Sequence, residues 1–251
     1  MMLTPSDFAE RACLPERMDD LSGDPDELQT TLRRFRIVNA LVSRSRFLLR
    51  TRVLRDARDG RAGSFSIVDI GAGGCDIMMW FARTAQKRGF KPRIVCADHD
   101  PRAVAFGRAA TRGYPGIRVV RAGLDELSAI GPFDYAFSNH LLHHLSDAEA
   151  VRTLETVRRI TRRIYLMNDI HRGAGAYYGF SLLAGVLFPR SMAYEDGRLS
   201  VRRSFRVREL ERLIRRMSDG QELAPGVYRL FPARLCAMGR GTAPARVQER
   251  L

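Results

Sequence analysis

Between residues 64 and 169, short apolar runs alternate with helix-length segments, and few architectures accept that rhythm. Ser66–Ile70, Arg93–Ala97, Ile117–Val120, Phe133–Phe137 and Ile164–Met167 read as strands. Asp76 to Arg88 reads as a helix ending at Gly89, Asp100-Pro101 caps a second helix, and Ser146-Asp147-Ala148-Glu149 is a capping box opening another. A strand–helix–strand order of this kind predicts a parallel sheet covered on both faces, a doubly wound α/β fold.

The flanks differ in texture. Residues 1–63 are charged and helical in pattern: Asp24-Pro25 gives an N-cap and first-turn proline, and Leu28, Leu32, Phe35, Val38, Val42 and Leu49 recur at helical spacing. Asp59-Gly60-Arg61-Ala62-Gly63 reads as a linker, so 1–63 is expected as a helical cap and 64–251 as the main domain. Beyond 170 come an apolar helical stretch, then an amphipathic helix marked by Val207, Leu210, Leu213 and Ile214, then two strands near 226–230 and 234–238.

Composition narrows the partners. The start of the chain lacks a basic region followed by an apolar one, and Ala174 to Phe188 is too short and glycine-broken to span a membrane. Cys13, Cys75, Cys96 and Cys236 lie far apart, as reduced thiols of a cytosolic protein would, and no histidine–cysteine cluster points to a metal. The net charge of +14 raises nucleic acid or an anionic membrane as partners. Almost all of that charge is arginine, the only lysines being Lys87 and Lys91, a bias expected of a GC-rich coding sequence.

Val68-Asp69-Ile70-Gly71-Ala72-Gly73-Gly74-Cys75-Asp76 closes the first strand and opens the first helix. Glycines there permit a sharp turn and close approach of a ligand, and the helix N-terminus offers unpaired N–H groups to a nucleotide or carboxylate. Asp98 ends the second strand, where an acidic residue accepts hydrogen bonds from ribose hydroxyls. Asp100, directly before Pro101, is the better cap, which leaves Asp98 for the ribose.

Asp69-x-Gly71-x-Gly73 resembles motif I of class I S-adenosylmethionine-dependent methyltransferases, and Asp98-His99-Asp100-Pro101 their second motif. Phe133 to Leu145, containing Asn139, His140, His143 and His144, resembles their fourth-strand motif in the small-molecule branch that includes quinone and polyketide methyltransferases. Glu16-Arg17-Met18-Asp19-Asp20, the helix reaching Asn39, and Met167-Asn168-Asp169-Ile170-His171-Arg172 look like members found near polyketide synthases. The resemblance implies a Rossmann-like seven-stranded sheet with an antiparallel last strand and S-adenosylmethionine as cofactor. Gly71 and Gly73 would border its methionine part, Asp98 its ribose and Asn139 the sulfonium side, with Asp69, Ala72, His99, Gly123, Leu124 and His140 among the other residues that bind it. Two positions depart from the pattern. Cys75 stands for the third glycine, and Gly123 stands where an acidic residue often meets adenine, leaving either Asp125 or backbone groups to hold the base.

Methyl transfer from a sulfonium is an in-line displacement with a good leaving group, so alignment and exclusion of water carry much of the catalysis. A phenol, with a pKa of about 10, benefits from a base, and histidine suits that near neutral pH. His144, His171 and His143 are the candidates; Asp169 and Arg172 could orient a substrate or close the loop as an ion pair. The 173–206 segment, with Tyr177 and Tyr178, is where this family inserts substrate-recognition elements; it suggests an aromatic or lipid-like substrate, either as a packing cap helix or at a membrane surface. O-methylation of a phenolic or polyketide-derived secondary metabolite leads, with C-methylation of a quinone-like ring beside it. A nucleic-acid methyltransferase and a non-catalytic binder are the other readings. Ser138-Asn139-His140-Leu141 stands where enzymes acting on exocyclic base amines carry Asn/Asp-Pro-Pro-aromatic, which argues against nucleic acid.

Overall fold

The computed structural model describes residues 4–61, 63–217 and 226–244. The first three residues, Ala62 of the expected linker, and residues 218–225 and the last seven residues of the expected main domain lie outside them.

The sheet is built from β1 (Ser64–Ile70), β2 (Lys91–Asp98), β3 (Ile117–Arg121), β4 (Phe133–Asn139), β5 (Thr161–Ile170), β6 (Gly226–Leu230) and β7 (Arg234–Arg240). Their order is β3-β2-β1-β4-β5-β7-β6. β1 to β5 are parallel, β7 runs antiparallel to β5, and β6 antiparallel to β7. This is the expected seven-stranded arrangement, with each strand of the first five found where an apolar run predicted it. β1 and β4 are buried along nearly their whole length because helices cover both faces.

Helices α1 (Pro25–Leu41), α2 (Ser45–Leu48) and α3 (Arg55–Asp59) precede the sheet, the last two joined by a π-helical stretch Leu49–Leu54. Between the strands lie α4 (Asp76–Gln86), α5 (Pro101–Ala110), α6 (Leu124–Ile130) and α7 (Asp147–Ile160); α8 (Ala174–Leu187), α9 (Met192–Arg203) and α10 (Val207–Met217) follow β5. The predicted caps form: Asp24, Asp100 and Ser146 each accept a backbone N–H of the helix they begin.

The apolar periodicity from Leu28 to Leu49 runs through two helices rather than one. The break falls at Val42 to Arg44, where Arg44 has φ 61° and the Ser43 hydroxyl binds both Asn39 O and Ser45 Oγ. Leu48, Leu49, Val53, Leu54 and Ala57 pack in the same apolar cluster as Phe65, Ile67 and Phe81, so this part of the N-terminal segment shares its core with β1 and α4. The sheet order reverses beside β1, between β2 on one side and β4 on the other, and the loops after β1, β2, β3 and β4 meet at that point.

Candidate active site

Those loops open into one cavity of about 700 Å³, lined on the sheet side by Asp69 to Gly74, Asp98 to Asp100, Ala122 to Leu124 and Asn139 to Leu141. Its other walls are α1, α8, α9 and the segment around Glu16 to Asp19.

The glycine turn is built as its sequence requires. Gly71 and Gly73 have φ 71° and 49°, a region that L side chains rarely adopt. Cys75 has φ 58° and caps α4, and a Cβ on Gly107 of α5 would lie 2.8 Å from the Cys75 sulfur. The cysteine in place of the third glycine is thus accommodated by a glycine on the neighbouring helix. Asp98 Oδ2 accepts Gly73 N–H at 2.8 Å and its Oδ1 accepts Asp100 N–H at 3.0 Å. Each oxygen keeps a further lone pair for a ligand hydroxyl.

Three carboxylates share this end of the cavity. Burial pushes Asp69 well above the usual carboxylate range, and the charges of Asp76 and Asp98 push it further. Burial also raises Asp76, although Asn39 donates to it at 3.2 Å. Such a site favours a cation and would repel a diphosphate. At the β3 end only Ala122, Gly123 and Leu124 line the cavity, while Asp125 is exposed.

Below the turn a buried network fixes Asn139. Its Oδ1 accepts from Ser45 Oγ at 3.1 Å, Asn168 Nδ2 at 2.7 Å and Arg234 Nη2 at 2.9 Å, and its Nδ2 donates to Asn39 Oδ1 at 3.1 Å. Arg234 also donates to His140 Nε2 at 2.6 Å, and burial together with that positive charge holds His140 well below its ordinary value, as a neutral imidazole. Burial in turn lowers Arg234 to about 10.

The other end of the cavity holds two stacked imidazoles, His143 and His144, with ring centroids 4.2 Å apart. Each has its Nδ1 on a carboxylate: His143 on Asp169 Oδ1 at 2.7 Å, His144 on Asp19 Oδ1 at 3.0 Å. Asp169 further accepts the backbone N–H of His143 at 3.0 Å and of Ile170 at 2.6 Å. Burial would raise Asp169, but the charge and hydrogen bond of His143, with the charge of Arg234, hold it far below the carboxylate range. Burial would lower His144; the hydrogen bond to Asp19 and the charges of Glu16 and Asp19 outweigh it and raise the imidazole above 6.5. Asp19, despite burial, is brought down to about 2 by His144 and Arg203. The carboxyl of Glu16 lies 3.6 Å from His143 Nε2 and 4.0 Å from His144 Nε2, and neither of its oxygens has a hydrogen-bond partner among the described residues. Burial raises it. Glu16, His143 and His144 thus bring three ligand-type atoms within 4.8 Å, a grouping that histidine–cysteine spacing did not indicate.

Both imidazoles line the cavity, His144 with 22% of its side chain exposed and His143 with 1%. His171 is outside the cavity: its N–H is bound by Ala233 O, and burial and the charges of Arg229, Arg206 and Arg172 lower its pKa. Arg172 does not line the cavity either. It is fully buried and donates to Phe8 O, Ala9 O, Ser204 O and the Glu209 carboxylate. Tyr177 is buried edge-on against Phe8 with its hydroxyl on Arg198, and Tyr178 faces outward, so neither lines the cavity. Asp169 acts on the site through His143. Sequence reasoning singled out none of Glu16, Asp19, Ser45, Arg203 or Arg234, although the first two stood in the quoted Glu16–Asp20 run.

Residues 67–163 match the methyltransferase domain family. No curated protein matches the chain by sequence. Among solved structures, the plantazolicin methyltransferase BpumL in complex with a desmethylPZN analog and SAH is similar with a TM-score of 0.62 at 11% identity, over 87% of this chain and 98% of that one. The structure of PigF with SAH gives 0.61 at 16% identity, over 90% of this chain and 62% of that one. A SAM-dependent methyltransferase from Aquifex aeolicus gives 0.51 at 12% identity, over 88% of this chain and all of the other. The fold of this chain is the Rossmann-like methyltransferase fold.

Proposed function

We propose that this chain is an S-adenosylmethionine-dependent methyltransferase that O-methylates a phenolic or polyketide-derived small molecule. The observation that carries this reading is a single cavity joining the Gly71–Gly73 turn and three carboxylates, Asp98 among them, at one end to the His143–His144 pair at the other. Asp98 would bind the ribose hydroxyls, the α4 N-terminus the methionine carboxylate, and Asp69 and Asp76 would offset the positive charge of the cofactor. Similar structures with bound SAM or SAH support the same cofactor.

The cofactor supplies the methyl group as an electrophile on a sulfonium. The chain holds the acceptor in line, excludes water and takes a proton. His144 is suited to the last task. Asp19 fixes its Nδ1–H, which leaves Nε2 for the acceptor hydroxyl, and its raised pKa makes the imidazole a stronger base. Glu16 and the His143–Asp169 pair back it with a buried acid–base cluster.

Incubating the protein with labelled S-adenosylmethionine and panels of phenols and quinones tests the reading. Label on phenolic oxygen is the expected result. Label on a ring carbon would move the assignment to the C-methylating alternative, and label only on oligonucleotides would overturn both.

A further inference from the structure

Helix α8 has no charged residue along its length, yet one side faces outward. Leu182, Val186 and Leu187 are 73%, 75% and 44% exposed. Its inner side is occupied: Ala184 and Phe188 pack with Val38 of α1 and Ala193 of α9, and Ala176, Phe180 and Leu183 line the cavity. On α1, whose Val38 packs in that same cluster, Ile37 and Leu41 are exposed as well, at 44% and 61%. Single exposed apolar side chains are ordinary; a helix that is apolar on its outer side as well, beside a second apolar pair, marks a contact surface.

Charge decides what that surface meets. From Leu28 to Arg55 the chain carries eight arginines and no acidic residue, and Arg190 follows α8. Arg34 lies over the Phe188 ring at 6.0 Å and Arg44 over Phe47, itself 42% exposed, at 4.7 Å. An apolar centre with arginines around it matches an anionic bilayer, whose headgroups meet the guanidinium groups while the leucine and valine side chains enter the acyl boundary. A second copy of the chain would instead bring two arginine-rich borders together.

We propose that α8, with the outer edge of α1, docks this protein on anionic lipid bilayers and that the wall they form separates the cavity from the membrane. For the acceptor this implies a lipid-like molecule drawn from the bilayer; that consequence rests on the proposed methyltransferase reading, while the docking itself does not.

Co-sedimentation with vesicles tests it directly. The full chain is expected to bind phosphatidylcholine–phosphatidylglycerol vesicles, to bind pure phosphatidylcholine more than ten-fold less, and to lose affinity as salt rises. The double variant Leu182→Glu, Val186→Glu alters only exposed side chains outside the cavity lining, so it is expected to keep its circular dichroism spectrum and its affinity for S-adenosylhomocysteine while vesicle binding falls more than ten-fold. Three outcomes would overturn the proposal: no binding of wild type to anionic vesicles, salt-sensitive binding unchanged in the double variant, or a wild-type dimer that the double variant converts to monomer without any effect of lipid. Loss of the cofactor site would appear separately, as absent S-adenosylhomocysteine binding in both proteins.

Discussion

Replacing His144 by glutamine is expected to lower kcat by about 10²- to 10⁴-fold, the usual contribution of a positioned general base, with little change in cofactor affinity. The base must be neutral to accept the acceptor proton. The rate should therefore rise with pH through the pKa of His144, which lies above 6.5 because the hydrogen bond and charge of Asp19 and the charge of Glu16 outweigh burial. Asp19→Asn removes one of those charges and the anionic acceptor of Nδ1–H. Its expected signature is an acidic limb displaced to lower pH, together with a reduced plateau. A merely structural role for Asp19 would lower the rate without moving the limb, and the pH profile of kcat separates the two.

The second large effect is on stability. Arg172→Ala is expected to destabilise the fold by about 3–5 kcal/mol, the cost of removing one partner from a buried, hydrogen-bonded ion pair. At this chain length that corresponds to a fall in Tm of roughly 6–20 °C. The guanidinium is the clasp of three segments. It binds Phe8 O and Ala9 O from the N-terminal strap, Ser204 O after α9, and Glu209 on α10. Thermal unfolding followed by circular dichroism reads this directly. Below the transition, the acceptor KM of the variant is expected to stay within two-fold of wild type; a large KM change with an unchanged Tm would return Arg172 to the substrate.

Local signals carried far in this chain. A strand that is buried on both faces must be continuously apolar, a turn with φ near +71° and +49° selects glycine, and a helix start selects Asp24, Asp100 or Ser146, so each left its mark within a few residues. The place of Asp98 at the end of β2 was legible for the same reason, since the end of a parallel strand and the next helix are adjacent in sequence.

What remained hidden depends on long-range pairing. Nothing near His171 in sequence says that Ala233 of the β6–β7 turn will bind its N–H and hold it among Arg229 and Arg206. Nothing near His144 says that Asp19 will meet its Nδ1 across 125 positions. The helix break at Val42 to Arg44 carries no glycine or proline, yet it is what sets Ser45 and Asn39 on either side of Asn139. Arg234 reads locally as the first residue of an edge-side strand. Only the antiparallel pairing of β7 with β5 places it under Asn139 and His140.

The central claim is that the glycine turn and Asp98 form an S-adenosylmethionine site, and calorimetric titration with S-adenosylhomocysteine of wild type and Asp98→Ala tests it most directly. Asp98 would accept from the ribose while also holding Gly73 N–H. Losing a charge-assisted hydrogen bond worth about 1.5–3 kcal/mol should weaken binding roughly 10- to 100-fold. Stoichiometric binding by wild type and that loss in the variant are the predicted result. A folded wild type that takes up no S-adenosylhomocysteine, or a variant that binds it as tightly as wild type, would contradict the account.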